Sequence, residues 1–182
     1  REHVEQRLDD YLTHFESHLS DVSLTRGFFL RGESGCGKSA FVDYCLKKRG
    51  YTVIRYDATS CRNAATIEDA LTHTSCTIKT VFVMDEIEGM NNCDKGGLST
   101  LIHYVRAKRT KKQMKEPMTH RPIIFICDMY TNKTINELTA ACTVVDLCTP
   151  TRRDMQQLCA LMGAPVDAVL ARCGWPKVSV VG

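Results

Sequence analysis

The chain has 182 residues, enough for one full domain or for one domain and part of a second. Hydrophobic residues make up 43% of it and charged residues 25%, which is the composition of a folded globular protein and excludes a disordered chain. The formal net charge of +3 is too small to indicate polyanion binding by itself, and no apolar run reaches the roughly 18 residues of a membrane-spanning helix.

Ten cysteines are present, and no two of them form a C-x-x-C pair. Most lie inside apolar patterns, as Cys45, Cys127 and Cys148 do. Because no signal-peptide pattern is recognisable, this usage favours a reduced intracellular protein in which cysteine acts as a small buried hydrophobic residue. The first residues, Arg1-Glu2-His3, lead us to expect that the sequence is a fragment of a longer protein.

The first third of the chain predicts an alternation of helices and strands. An amphipathic helix is expected over residues 2–19, because Val4 and Leu8 begin a series of apolar residues at spacings of three and four. Beyond it the pattern predicts a polar connection, a short buried strand, a helix that Gly50 ends and a second strand, in the order 21–26, 28–30, 38–49 and 51–56.

The remaining apolar runs are nearly continuous, which predicts strands covered on both faces of a parallel sheet. These strands are expected at 79–84, 122–127 and 143–147, with helices at 67–73, 96–108 and 135–141 and a polar insert at 109–121. Strands that alternate with helices imply right-handed crossover connections. The predicted fold class is therefore α/β, a five-stranded parallel sheet with flanking helices.

A glycine-rich motif lies between the first predicted strand and the helix after it, Gly32-Glu33-Ser34-Gly35-Cys36-Gly37-Lys38-Ser39. The spacing G-x-x-x-x-G-K-S, placed between a strand and a helix, predicts a phosphate-binding loop. Backbone N–H groups from Gly32 to Ala40, with the N-terminus of the helix, would bind the phosphates. Lys38 would reach the β- and γ-phosphates, and Ser39 would offer an oxygen to Mg²⁺.

A second motif, Val81-Phe82-Val83-Met84-Asp85-Glu86, consists of four apolar residues followed by two carboxylates. We expect this strand to lie beside the phosphate-loop strand. It would then place Asp85 near the metal ion that accompanies the nucleotide. The adjacent Glu86 would polarise a water for attack on the γ-phosphate. Together the two motifs predict ATP hydrolysis with ATP and Mg²⁺ as cofactors.

These motifs resemble those of the AAA+ ATPases, and within them the large subunit of the replication factor C clamp loader. The residues from Asp85 to Met90 are similar to that family's D-E-V-D-G-M, and those from Asp94 to Leu98 to its D-R-G-G-I. The residues from Pro122 to Asp128 are similar to P-I-I-C-I-C-N, and those from Tyr56 to Arg62 to L-N-A-S-D-x-R. The paired glycines and the Gly-Met after the carboxylates favour the large subunit.

The resemblance implies that Asp128 occupies a sensor position at the end of the fourth strand, where most family members have an Asn that contacts the γ-phosphate and the attacking water. An Asp departs from that pattern, because a second anion near a phosphate chain is unfavourable unless it is protonated or metal-bound. Asn132 would substitute if the loop bent inward, and a solvated strand-end carboxylate is the other interpretation. The departure bears on the expected hydrolytic rate and leaves the prediction that the site binds a nucleotide in place.

Small clamp-loader subunits carry Ser-Arg-Cys before the fifth strand, and this Arg acts on the ATP of a neighbouring subunit. The matching residues here are Ala140-Ala141-Cys142, and alanine cannot stabilise transition-state charge. The family's large subunit also lacks this Arg, because it lies at one end of the subunit arc. The resemblance therefore implies that a neighbour completes this chain's site and that the chain alone hydrolyses ATP slowly.

A dense basic cluster joins the helix after the carboxylates to the sensor strand. It contains Arg106, Lys108, Arg109, Lys111, Lys112 and Lys115. In clamp loaders the corresponding helix resembles one that lines the surface tracking duplex DNA, so these residues are candidates for sequence-independent contact with DNA phosphates. The alternative is a solvated surface loop. No aromatic residue is interleaved, which argues against base stacking.

Pro150 ends the strand pattern, and two helices without a strand are predicted at 154–162 and 166–173. The chain is accordingly expected to have three parts: an N-terminal helix and linker over 1–26, a nucleotide-binding core over 27–149 and the start of a helical lid domain over 150–182. The N-terminal helix is expected to pack on the sheet edge, with binding to a partner as the alternative.

The combined prediction is the ATP-binding and hydrolysing module of a clamp-loader large subunit, which loads a sliding clamp onto primer–template DNA. The resemblance implies other clamp-loader subunits, the clamp and DNA as partners, no membrane, and an intracellular location in the nucleus or at a viral replication site. One alternative is a AAA+ helicase or replication initiator that forms a homo-hexamer, with the insert at 109–121 gripping DNA and Arg152 or Arg153 acting on a neighbour. The other is a nucleotide-locked scaffold in which Asp128 has silenced turnover.

Overall fold

A computed structural model describes residues 1–19, 21, 23–57, 60, 63–73, 79–90, 96–106, 119–129 and 132–162. Six α-helices and five β-strands lie in this part of the chain. In order they are α1 (Glu2–Ser17), β1 (Gly27–Gly32), α2 (Lys38–Lys48), β2 (Thr52–Tyr56), α3 (Ala64–His73), β3 (Thr80–Met84), α4 (Gly97–Val105), β4 (Ile123–Cys127), α5 (Lys133–Ala140), β5 (Thr143–Leu147) and α6 (Arg152–Met162). A single 3₁₀ turn, Ile87–Gly89, follows β3.

The five strands form one parallel sheet in the order β2-β3-β4-β1-β5. Phe29 in β1 pairs with Phe125 in β4 and with Val144 in β5, while Phe82 in β3 pairs with Ile123 in β4. The α/β fold with a five-stranded parallel sheet and flanking helices is therefore confirmed. One expectation is wrong: β3 is not beside β1, because β4 pairs with both and separates them.

Alternate residues along the strands supply two hydrophobic clusters, one on each face of the sheet. Phe28 and Leu30 of β1 face the cluster that contains α1 and α2, whereas Phe29 faces the cluster that contains α3, α4 and α5. All residues of β3 and β4 are buried, since helices cover both faces. The carboxyl ends of β1, β4 and β3 are thus held by a packed core.

The predicted helix and strand boundaries fail mainly at helix ends. Helix α3 begins at Ala64, because the Asn63 side chain accepts the Thr66 N–H, and α5 begins at Lys133, because Asn132 accepts the Ile135 N–H. Helix α4 ends at Val105, three residues before its predicted end, and Arg106 is extended. In the sequence, Lys108 and Arg109 follow Val105 at spacings of three and four and are basic, so the apolar pattern of the helix stops there. The helix predicted at 166–173 lies outside the described residues.

The chain separates into two compact units, Arg1–Cys148 and Thr149–Gly182. The first contains the whole sheet and also α1, whose apolar residues are buried in the same cluster as β1. In the second, Thr151 and Asp154 cap the start of α6 reciprocally: the Thr151 N–H and hydroxyl donate to the Asp154 carboxylate, and the Asp154 N–H donates to the Thr151 oxygen.

Candidate functional site

A cavity of about 490 Å³ lies at the carboxyl edge of the sheet, where β1, β3 and β4 end. Its walls come from the phosphate loop and the start of α2, from the segment after β3, and from the end of β4. The lining residues are Ser34, Gly35, Gly37, Lys38, Ser39, Ala40, Asp85, Glu86, Glu88, Gly89, Ile126, Cys127 and Asp128. This edge of a parallel sheet is the usual location of ligand sites in open α/β folds.

The loop between β1 and α2 bends through two glycines in the left-handed region, Gly35 with φ of 76° and Gly37 with φ of 86°. L-residues with a side chain rarely adopt such angles, so the curl of the loop depends on these glycines. Gly37 is the N-cap of α2, and the helix begins at Lys38. The unpaired N–H groups of the first helical turn therefore lie where the cavity opens, which is a favourable environment for anions.

Gly32, the last residue of β1, is required for a different reason. A Cβ atom at this position would lie 2.6 Å from the Leu147 carbonyl oxygen and 2.9 Å from the Cys36 sulfur. Cys36 is itself buried, and its sulfur lies 3.8 Å from the same Leu147 oxygen. Gly32, Glu33 and Cys36 are not among the lining residues of the cavity: Gly32 and Cys36 lie against Leu147 of β5, and Glu33 is exposed.

Lys38 is almost completely buried, and its ammonium group makes three hydrogen bonds. Nζ donates to the carbonyl oxygens of Gly32 at 3.0 Å and Glu33 at 2.9 Å, and to Oδ1 of Asp128 at 2.5 Å. An ammonium has three N–H donors. All of them are therefore engaged by the protein itself, two by the phosphate loop and one by the residue that follows β4.

Asp85, which directly follows β3, is 8% exposed and forms an ion pair with Arg55 of β2. The other branch of the Arg55 guanidinium pairs with Asp43 of α2. The Glu86 N–H donates to Oδ1 of Asp85 at 3.0 Å. Arg55 was not a predicted site residue. Its signal in the sequence is a charged residue inside an otherwise apolar strand, which points to a partner at the strand end.

Glu86 is exposed, lines the cavity and has a backbone φ of 51°. It is the only residue other than glycine with positive φ in the described part of the chain. This conformation costs an L-residue roughly 1–2 kcal/mol. The turn after β3 therefore holds the Glu86 carboxylate at the cavity against a local conformational cost, as is common where a side chain has a functional role.

Asp128 follows β4 directly and lies opposite the phosphate loop, with its side chain 37% exposed. Its backbone N–H donates to Oε2 of Glu88 at 3.2 Å. The pKa of the neighbouring Cys127 thiol is raised to about 12, chiefly by burial and secondly by a hydrogen bond with the Glu88 carboxylate. The thiol is therefore neutral at physiological pH. Glu88 and Cys127 are not among the predicted site residues, although Glu88 lies within the segment from Asp85 to Met90 that resembles the family motif.

The structure thus brings Lys38, Ser39, Asp85, Glu86 and Asp128 around one cavity. Asn132, the alternative to Asp128, is engaged elsewhere, because its side-chain oxygen accepts the Ile135 N–H at 2.8 Å as the cap of α5. Of the predicted DNA contacts, Arg106 is exposed after α4, whereas Lys108, Arg109, Lys111 and Lys112 lie outside the described residues. The DNA interface remains a prediction from the sequence.

The cavity fits the ligands that the motifs predict. Its volume falls within the range of small-molecule sites, and it combines a loop of inward-turned glycines, a helix N-terminus and a buried lysine. The Ser39 hydroxyl and the Asp85 carboxylate are hard oxygen ligands of the kind that Mg²⁺ prefers. Mg²⁺ usually takes only one or two carboxylates from a protein and completes its shell with phosphates and water. The donor set is therefore suitable for a magnesium nucleotide.

Comparison with known proteins gives a family and two distant relatives. The model of the ATPase family associated with various cellular activities (AAA) matches residues 28–150. Replication factor C subunit 1 of Arabidopsis thaliana is 24% identical over 160 residues, which covers 75% of this chain and 16% of that protein. Chromosome transmission fidelity protein 18 of Schizosaccharomyces pombe is 29% identical over 126 residues, covering 62% of this chain and 13% of that protein. The chain therefore spans less than a fifth of either relative. Within the described residues, no helix has both the length and the apolar character needed to cross a membrane.

Proposed function

Because the chain belongs to the AAA family of ATPases, we propose that it is the nucleotide-driven module of a clamp-loader large subunit, which loads a sliding clamp onto primer–template DNA. The family match covers all five strands, except for Gly27 at the start of β1, and every residue that lines the cavity. The observation that carries the proposal is that Lys38, Asp85 and Glu86, from two motifs far apart in the chain, line one cavity beside a helix N-terminus.

In this proposal each residue at the cavity has one task. The loop N–H groups and the start of α2 bind phosphate oxygens, and Lys38 neutralises the outer phosphates. Ser39 and Asp85 would hold Mg²⁺, which would supply electrostatic stabilisation of the developing charge. Glu86 accepts a proton from the attacking water, and its strained backbone keeps the carboxylate directed to the cavity.

The clamp-loader assignment rests on the motifs and on the likeness to replication factor C subunit 1. Ala141, which follows α5 where the small subunits carry Arg, supports a subunit that receives an arginine from a neighbour and gives none. We propose other clamp-loader subunits, the clamp and DNA as partners, with the basic cluster at 106–115 on the DNA side. We also propose that Thr149–Gly182 begins a lid domain, and that the protein acts in the nucleus or at a viral replication site.

The first prediction tests nucleotide binding through Lys38. Lys38→Ala removes the only cation among the lining residues, so the affinity for Mg²⁺-ATP should fall at least about a hundredfold, the loss expected when two charge-assisted hydrogen bonds disappear. Lys47→Ala is the matched control, because Lys47 is an exposed lysine of the same helix and does not line the cavity. Isothermal titration of the full chain measures both variants. Undiminished ATP affinity in Lys38→Ala would remove the central assignment.

A further inference from the structure

The ion pair between Lys38 and Asp128 occupies the lysine that the sequence motif assigns to phosphate binding. The ammonium of Lys38 has no spare N–H donor, because two go to loop carbonyls and the third goes to Asp128 at 2.5 Å. A phosphate group that approaches Lys38 must take over one of these three bonds. The two carbonyls belong to the loop backbone, whereas the third partner is the Asp128 side chain, which is 37% exposed and is therefore the one that can be exchanged without moving the loop.

The position of Asp128 in the sheet determines which phosphate it meets. β4 lies between β1, which leads into the phosphate loop, and β3, which ends at Asp85. The amides of a phosphate loop hold the inner phosphates of a nucleotide, and its lysine reaches toward the outer ones. A carboxylate that enters from the end of β4 and binds the tip of the lysine therefore lies on the side of the outermost phosphate.

The charges around the cavity disfavour the binding of an additional anion next to Asp128. Asp85, Glu86, Glu88 and Asp128 line the cavity together with one cation, Lys38, which is already paired. Asp85 has Arg55 as a counterion, but Arg55 is not a lining residue. At an effective dielectric constant of about 20, two like charges about 4 Å apart repel strongly enough to change affinity severalfold or more. The repulsion increases with each phosphate placed beside Asp128.

We propose that Asp128 is a specificity-determining residue that competes with the outermost phosphate of a nucleoside triphosphate for Lys38, and so shifts the preference of the site toward the nucleoside diphosphate. The inference rests on the proposed nucleotide-binding function. In the absence of nucleotide, the Asp128 carboxylate accepts the Lys38 hydrogen bond that the terminal phosphate would otherwise accept. The triphosphate then binds well only when something else, such as a neighbouring subunit, displaces the carboxylate.

The test compares ADP with ATP in the wild-type chain and in Asp128→Asn. Asparagine keeps the size and one oxygen of the side chain and removes its charge. The ratio of the dissociation constant for Mg²⁺-ATP to that for Mg²⁺-ADP should fall about tenfold or more in Asp128→Asn, because relief of one close like-charge contact is worth at least this much. Asp146→Asn is the matched control, since Asp146 is also an ion-paired aspartate but pairs with Arg31 on β1 and does not line the cavity. Its ratio should equal that of the wild type.

A second variant, Asp128→Ala, separates charge from structure. If the charge determines the preference, alanine moves the ratio in the same direction as asparagine. If Asp128 has a purely structural role, both substitutions would weaken the binding of ATP and ADP equally and leave the ratio of the dissociation constants unchanged. That outcome would overturn the inference without affecting the proposed nucleotide binding. If the wild-type chain binds neither nucleotide and Lys38→Ala behaves identically, the proposed function fails and the inference fails with it. Thermal unfolding with each nucleotide provides an independent readout of the same ratio.

Discussion

At the scale of single residues, the candidate site is a set of charges that already have partners. Lys38 is bound to Asp128, and Asp85 is bound to Arg55, which also reaches Asp43. Buried or half-buried charges require such pairing, since an isolated ion in a protein interior is costly. In the proposed function, a magnesium nucleotide would therefore bind by replacing existing charge partners of these residues. The identity of the resting partner is then a determinant of affinity.

Glu86 shows a second residue-scale feature, a backbone conformation chosen against local preference. Its φ of 51° is one that glycine adopts readily and that other residues avoid. Nothing about chain folding requires a carboxylate there, because glycine would make the same turn with less strain. The strain is understandable if the carboxylate itself is needed at the cavity.

This argument predicts opposite effects of Glu86→Gly on stability and on activity. Relief of the left-handed conformation, less the added backbone entropy of glycine, should raise the free energy of unfolding by about 1 kcal/mol. Loss of the base should lower the single-turnover hydrolysis rate by about a hundredfold or more. Chemical denaturation and a single-turnover assay with the partner subunits present measure the two effects.

Glu86→Gln is the control for that variant, because it keeps the strained conformation and loses only the base. It should match Glu86→Gly in hydrolysis and match the wild type in stability. Equal stability of the glycine and glutamine variants would show that the turn is not strained, and unchanged hydrolysis in both would exclude Glu86 as the base.

At the scale of elements, helix α1 packs on the core through its apolar face and is also held by side-chain hydrogen bonds. Leu8, Leu12 and Phe15 are buried in the cluster that contains β1. Glu16, near the end of the helix, accepts hydrogen bonds from the Tyr51 hydroxyl at 2.6 Å and from Lys79 Nζ at 3.0 Å. The helix is thus an integral part of the first unit, and its apolar face packs on the core of this chain.

A pH-dependent stability follows from Glu16. Burial acts to raise its pKa, but the hydrogen bonds from Tyr51 and Lys79 outweigh burial and lower the pKa below its usual 4.5. A carboxyl group with a lowered pKa in the folded state contributes stability that is fully present above the unfolded value and is lost as the pH falls through the folded value. Glu16 should therefore stabilise the fold at neutral pH and cease to do so in acid.

The measurement is denaturant unfolding of the wild type and Glu16→Gln from pH 7 downward. The wild type should be more stable at pH 7 by less than about 1 kcal/mol, since the pair is partly solvent-exposed, and the difference should shrink below pH 4.5. Glu137→Gln, at an exposed position on α5, is the matched control and should show no such trend. A difference between wild type and Glu16→Gln that persists unchanged into acid would contradict this account.

At the scale of the whole molecule, the parallel sheet gathers residues that are distant in sequence at one edge. The carboxyl ends of β1, β4 and β3 supply the phosphate loop, Asp128 and the Asp85-Glu86 pair. The cavity lies entirely within Arg1–Cys148, and all of its lining residues belong to that unit. The unit therefore contains all the proposed binding residues, and Ala141 stands where the resemblance places the arginine of small clamp-loader subunits.

The assembly proposal predicts the mass of the particle that the full-length protein forms with Mg²⁺-ATP. A clamp-loader large subunit should not form a closed ring of its own, because each member of such a ring must supply an arginine to the next. We expect no homo-hexamer by mass photometry, and an ATP-dependent complex when candidate partner subunits are added. A ring of six identical chains would favour the helicase alternative, with Arg152 or Arg153 as the donor.

The sequence alone was enough to predict the fold class and the candidate-site residues that belong to contiguous motifs. Apolar runs covered on both faces have a distinctive composition, and Gly32 to Ser39 and Asp85-Glu86 carry their chemistry within a few consecutive residues. Helix ends were less predictable, because Asn63, Asn132 and Thr151 cap their helices through side-chain hydrogen bonds that hydrophobic periodicity does not register.

Only the tertiary structure decided the strand order and the charge partners. β4 pairs with both β1 and β3, so it separates the strands that were expected to be neighbours. That insertion places Asp128 against Lys38 across 90 residues of sequence, and the pairing of β2 with β3 places Arg55 against Asp85. Such contacts depend on which strands share hydrogen bonds, and strand pairing between distant segments is set by the packing of the whole sheet and not by any local pattern of residues.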